Sequence, residues 1–156
     1  MITPRTPSIF RIIWTDFWAT LAAIFLFPFL ILVAIFLGLP LLLDPKLMVS
    51  VQSLLVVLGA TAGWLLIFGG ALALRISTIR SVFNDGQELK GQITEVEFTR
   101  DHGRVKYTYI YMGAPYTSSN RIMKNGRTRQ LAAGSDALIM VDIGDPRRAF
   151  LRDLYL

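Results

Sequence analysis

The sequence predicts a membrane α-helical hairpin of two transmembrane helices joined to a small C-terminal all-β domain, barrel- or sandwich-like, of about five strands. Three observations predict it. Between residues 17 and 74 the only charged side chains are Asp44 and Lys46. Those two charges flank Pro45 and divide the stretch into two long apolar runs. From residue 88 onward the runs give way to short segments of alternating polarity, separated by turn residues. Charged residues make up 17% of the 156-residue chain, against about 25% in a soluble domain.

The chain divides into a cytoplasmic N-terminal segment (1–16), a first span (17–43), a hairpin loop (44–46), a second span (47–74), a juxtamembrane helical linker (75–87) and a β-domain (88–156). A hydrocarbon core about 30 Å thick takes roughly 20 helical residues, and each apolar run exceeds that. Within hydrocarbon the backbone must satisfy its own hydrogen bonds, so both runs are expected to be helical. A connector as short as 44–46 makes them antiparallel neighbours. The first run is longer than the roughly 7–15 apolar residues of a signal peptide and is expected to be retained. Arg5 and Arg11 precede the first span, and Arg75 and Arg80 follow the second, with only Lys46 beside Asp44 at the tip. The bias of basic residues places both termini in the cytoplasm.

Trp14 and Trp18 stand near the entry to the first span, where indoles favour the membrane interface, while Trp64 is deeper and is expected to pack. Pro28 should kink the first helix, and Gly38 and Pro40 should loosen its far end. Gly59, Gly63 and Gly70 mark a helix-packing surface, against the first span or as a seam with another chain. The polar side chains of the spans are Thr20, Ser50, Gln52, Ser53 and Thr61. Ion pathways and proton relays need ionisable groups at depth, so a monomeric transporter is not expected.

Ile76, Ile79 and Phe83 share one helical face of the linker, with Arg75 and Arg80 free to snorkel to headgroups. Asn84-Asp85-Gly86 reads as a helix stop with Gly86 in the left-handed region. In the tail, residues 92–99, 105–112, 116–123, 137–142 and 149–151 read as strands. Val105, Tyr107, Tyr109 and Tyr111 share a face, as do Tyr116, Ser118, Asn120 and Ile122. Turns are expected at 101–104, at Gly113-Ala114, at Asn125-Gly126, a strong hairpin signal, and at Gly144-Asp145-Pro146. A domain of this size is marginal as an independent core.

No catalytic constellation emerges. The chain has no cysteine and one histidine, His102. His102 reads as an exposed turn residue, because a metal site needs more ligands than Glu97 or Asp101 supply. Asp142 and Asp145 read as turn carboxylates, and Glu95 with Glu97 as the solvated side of a strand. No enzymatic activity, metal or cofactor is expected. The tyrosine stripe could stack bases, but tyrosines at period two are also packing residues, so nucleic acid is not expected as a partner. Arg121, Lys124, Arg127 and Arg129 form a basic cluster around Asn125-Gly126, a candidate contact for anionic lipid headgroups or a partner. Arg147, Arg148 and Arg152 form a second basic edge.

Gly91-Gln92-Ile93, Tyr107-Thr108-Tyr109, Gly113 with Tyr116, Leu131 with Gly134, and Val141 leading to Asp145-Pro146 carry a resemblance. Over roughly residues 90–154 the chain is similar to the bacterial domain-of-unknown-function family 3592. The resemblance implies one or two membrane helices joined to a small β-domain, a bacterial inner-membrane address and no catalytic residues. The expected function is a non-enzymatic integral membrane protein whose cytoplasmic β-domain is an interaction module, serving an accessory subunit of a larger membrane complex or a homo-oligomer. A tethered sensor of anionic lipid or another ligand, and an immunity-type protein, are the alternatives.

Overall fold

The computed structural model describes residues 6–43 and 50–156. The helices are α1 (Ile9–Thr15), α2 (Phe17–Leu43), α3 (Val51–Trp64), α4 (Gly70–Asp85) and α5 (Arg152–Tyr155). The strands are β1 (Gln87–Phe98), β2 (His102–Tyr111), β3 (Ala114–Met123), β4 (Asp136–Val141) and β5 (Ala149–Leu151). A π-helical turn, Leu65–Gly69, carries α3 into α4 without a break. The expected loop at 44–46, and Arg5, lie outside the described residues. Two stretches, Phe17–Leu39 and Val51–Asp85, are long and apolar enough to cross a membrane. The chain forms two compact units, one of residues up to Thr20 together with Arg75–Leu156, the other Leu21–Leu74.

In the helical unit α2 runs on through Pro28 and Pro40 to Leu43. Phe25 stacks on Phe68 at 5.3 Å and Phe29 on Trp64 at 4.7 Å between ring centroids. One residue number rises by four as the other falls by four, which is antiparallel packing. The Trp64 indole N–H donates to the Phe25 carbonyl at 2.9 Å. That carbonyl lies in the turn before Pro28, where the missing N–H disturbs the helical ladder. Beyond these rings an apolar groove of about 610 Å³ opens, lined among others by Phe29, Leu32, Phe36 and Val57.

The other unit is built on a five-stranded sheet in the order β3-β2-β1-β4-β5, with every neighbouring pair antiparallel. β1 to β3 form a meander, and β4 returns to lie beside β1, which is a Greek key. β1 serves two ladders: Gly91 and Gln92 pair with both β2 and β4. An irregularity between Ile93 and Glu95 bends the strand where it leaves one ladder for the other, the usual effect of a bulge. The sheet curls until β5 approaches β3, giving a partly open barrel. Val105, Tyr107, Tyr109 and Tyr111 all point inward, as do Ser118, Asn120 and Ile122.

The unit also takes in more than residues 88–156. Ile79, Val82 and Phe83 of α4, Ile12 of α1, and Leu154 and Tyr155 of α5 are buried. The N-terminal segment makes an antiparallel bridge from Asp16 to Ile122 on β3. A domain of this size is marginal as an independent core, and these helices add to its buried apolar surface.

Several local expectations change. β1 begins at Gln87 rather than 92, with Glu88 and Lys90 exposed and Leu89 and Gly91 half-buried. Gly103 and Arg104 already pair with β1, with Gly103 facing Phe98, and His102 pairs with Met123 of β3. A Cβ on Gly103 would stand 2.5 Å from the Phe98 ring. The β2–β3 loop is Met112-Gly113, with φ of 50° and 80°, so both central residues take the positive φ of a primed turn. Gly86 is not left-handed. It is required because a Cβ there would meet the carbonyl oxygens of Val82 at 2.2 Å and Val141 at 2.6 Å. Asn125-Gly126 is not a hairpin turn, since β3 and β4 are not neighbours. The Asn125 side chain accepts from the amides of Arg127 and Thr128 at 3.0 Å each, opening the 3₁₀ turn Thr128–Gln130.

Candidate functional site

Asp16 is the residue on which the barrel unit converges. It is wholly buried, and Arg75 meets it with two bonds, Nε to Oδ1 at 3.0 Å and Nη2 to Oδ2 at 2.6 Å. Oδ1 also accepts from the Ala19 amide at 3.0 Å, which is the capping geometry of an aspartate before a helix. The Tyr155 hydroxyl donates to Oδ2 at 3.3 Å. One carboxylate therefore ties the start of α2, the α4 helix and the C-terminal α5. Arg75 also lies 5.3 Å over the Phe150 ring, so it is held by the barrel rather than extended to solvent. Burial pushes the Tyr155 phenol well above its ordinary pKa, and the neighbouring Asp16 charge adds to it.

A second polar cluster closes the barrel between β3 and β5. The Tyr107 hydroxyl shares its one proton between Asn120 Oδ1 at 2.8 Å and the Ala149 carbonyl at 2.6 Å, and Asn120 Nδ2 donates to the same carbonyl at 3.1 Å. The Ser118 hydroxyl donates to the Arg147 carbonyl at 2.9 Å. Tyr109 reaches Ser118 at 3.0 Å and the Pro146 carbonyl. Side chains here stand in for a backbone ladder. Burial raises the Tyr107 phenol well above its usual value, and that of Tyr109 less. The tyrosine stripe is thus interior and has no face free for stacking on a base.

The seam fixes residues 146–149 against β3, and this positions a cavity of about 320 Å³. Its walls include Trp18, Arg75, Arg104, Arg121, Arg147 and Arg148. Arg104 and Arg121 face each other across β2 and β3. Arg121 lies over the Trp18 ring at 5.4 Å. Arg148 pairs with Asp142 at 3.3 Å and Arg75 with Asp16. Among the described residues Arg104, Arg121 and Arg147 form no ion pair.

The expected basic cluster is therefore split. Arg121 joins the second basic edge in this cavity. Lys124 turns to the Phe98 ring, 5.8 Å away, while Arg127 and Arg129 are exposed on the segment between β3 and β4. Gly59, Gly63 and Gly70 have no atom of the described residues outside their own helix backbone within 4 Å of an added Cβ.

The other candidates are local. Asp142 accepts from the Gly144 amide and Asp145 from the Arg147 amide, at 2.9 and 3.1 Å, shaping the turn before β5. His102 is exposed, with its ring 5.0 Å from Phe17. Glu95 bonds Lys106 at 2.5 Å, which lowers its pKa, while its hydrogen bond with Glu97 raises the pKa of Glu97. Among the described residues no group of three or more metal-ligating side chains occurs. Asp16 carried a signal in the sequence, a capping residue directly before an apolar run, and the Arg104–Arg121 pair carried none without the strand register.

No family model matches the chain, and neither the curated proteins nor the solved structures contain a match.

Proposed function

We propose that the chain is a two-pass integral protein of a bacterial cytoplasmic membrane, with both termini cytoplasmic. Its barrel is a non-enzymatic interaction module, and the whole serves as an accessory subunit of a larger membrane complex or as a homo-oligomer. The observation that carries this is the bareness of α3, which has no buried residue. A helix that leaves its glycine surface open and shares one aromatic contact region with α2 has faces left for another helix. The Asp16–Arg75 pair supports two crossings, because a chain that leaves the barrel at one and returns at the other crosses a bilayer an even number of times. The resemblance to domain-of-unknown-function family 3592 supports the bacterial address. Native mass spectrometry of the full chain from mild detergent tests the assembly. An oligomer or a co-purifying chain is expected, and Gly59→Leu with Gly63→Leu should shift it toward monomer. A strict monomer from native membranes overturns the reading.

A further inference from the structure

We propose that the arginine-lined cavity between β3 and the turn before β5 binds the phosphate group of a ligand, and that this phosphate belongs to the headgroup of an acidic phospholipid.

The charge arrangement is the first argument. Like charges directly opposite on neighbouring strands destabilise a sheet, and Arg104 faces Arg121. Glu97 pairs in register with Arg104 on its other side, and Glu95 and Glu97 both feel its charge, but neither forms an ion pair with it. Arg147 adds a third unneutralised guanidinium to the same cavity. A fold that accepts this repulsion at a concave site is relieved when an anion enters. Guanidinium groups present paired donors that match phosphate oxygens, which lysine cannot do.

The second argument is position. Trp18, on the cavity wall, is the second residue of α2 and of the apolar stretch Phe17–Leu39. Indoles at the start of a membrane span sit at the level of the headgroups. The cavity and its Trp18–Arg121 stack then stand where a lipid phosphate lies. Lys124, Arg127 and Arg129 do not line it, so they are the control.

The phosphate chemistry stands on the cavity alone, whereas the lipid source rests on the membrane reading, so the two can fail separately. The test uses the full chain in detergent at low ionic strength, with three probes: phosphatidylglycerol and phosphatidylcholine in mixed micelles, and water-soluble glycerol 3-phosphate. Bound probe is counted by native mass spectrometry, and the thermal midpoint is followed in parallel. Phosphatidylglycerol is expected to bind about tenfold or more tightly than phosphatidylcholine, because several basic groups face the one anionic headgroup. Arg121→Gln with Arg147→Gln should abolish that preference, while Lys124→Gln with Arg127→Gln and Arg129→Gln should keep it. Equal binding by the first variant and the unchanged chain overturns the site. Glycerol 3-phosphate binding as well as the lipid, with the same arginine dependence, keeps the phosphate site and overturns its lipid source. Arg104→Thr separates a binding role from a structural one. It should raise the ligand-free midpoint and shrink the shift produced by phosphatidylglycerol. A lowered midpoint with the lipid preference intact shows a structural role and overturns the proposal.

Discussion

At the scale of single residues, Asp16 shows how much one carboxylate can hold. Removing one partner of a buried ion pair costs far more than the pair contributes, because the other charge is left uncompensated. Asp16→Asn keeps a capping side chain but strands Arg75, whose side chain is 27% exposed. It should cost about 3 kcal/mol, the lower end of the range for such losses, read as a lowered thermal midpoint in detergent. An unchanged midpoint refutes this account of the pair. Tyr107 and Tyr155 make a second prediction at this scale. Their folded-state pKa values are raised, so above about pH 10, where an unfolded tyrosine ionises, the folded state binds more protons than the unfolded one. Stability is therefore fully present below that pH and falls as the pH rises through it. Tyr155→Phe should flatten the decline measured by denaturant midpoints, and a slope equal to that of the unchanged chain counts against the burial argument.

At the scale of elements, the seam between β3 and β5 is closed by side chains and not by a strand ladder. Asn120→Ala removes a donor and an acceptor from it and should cost about 1–3 kcal/mol. Amide exchange in Ala149–Leu151 should then quicken more than exchange in the centre of β1, and equal protection in both refutes the seam's role. The elements also show what was legible beforehand. The alternation from Val105 to Tyr111 announced β2 and its inward face, because one side of the strand is buried and the other wet. Register was harder to read. Asn125-Gly126 has the composition of a hairpin turn yet opens a 3₁₀ turn, while the actual two-residue loop places Met112 where asparagine is usual. Without that loop, Arg104 and Arg121 could not be set opposite each other, and the cavity stayed hidden. Arg75 has the sequence position of a headgroup contact, since cations flanking a span usually reach headgroups. Only the tertiary structure brings Asp16 to it.

At the scale of the whole molecule, the apolar stretches and the barrel were both visible as a change of composition near residue 88, but the compact unit includes Ile12, Ile79 and Phe83 from outside that boundary. Their burial depends on packing partners that composition does not name. If both stretches are embedded, alkaline carbonate should leave the full chain in the vesicle pellet, and its release to the supernatant refutes membrane integration.

The Asp16 carboxylate has a consequence for how the chain is made. Arg75 lies 59 residues and Tyr155 139 residues further along. During synthesis Asp16 cannot gain both partners until Tyr155 has been produced. A nascent chain stalled short of Tyr155 therefore leaves Asp16 without the hydroxyl that α5 brings to it.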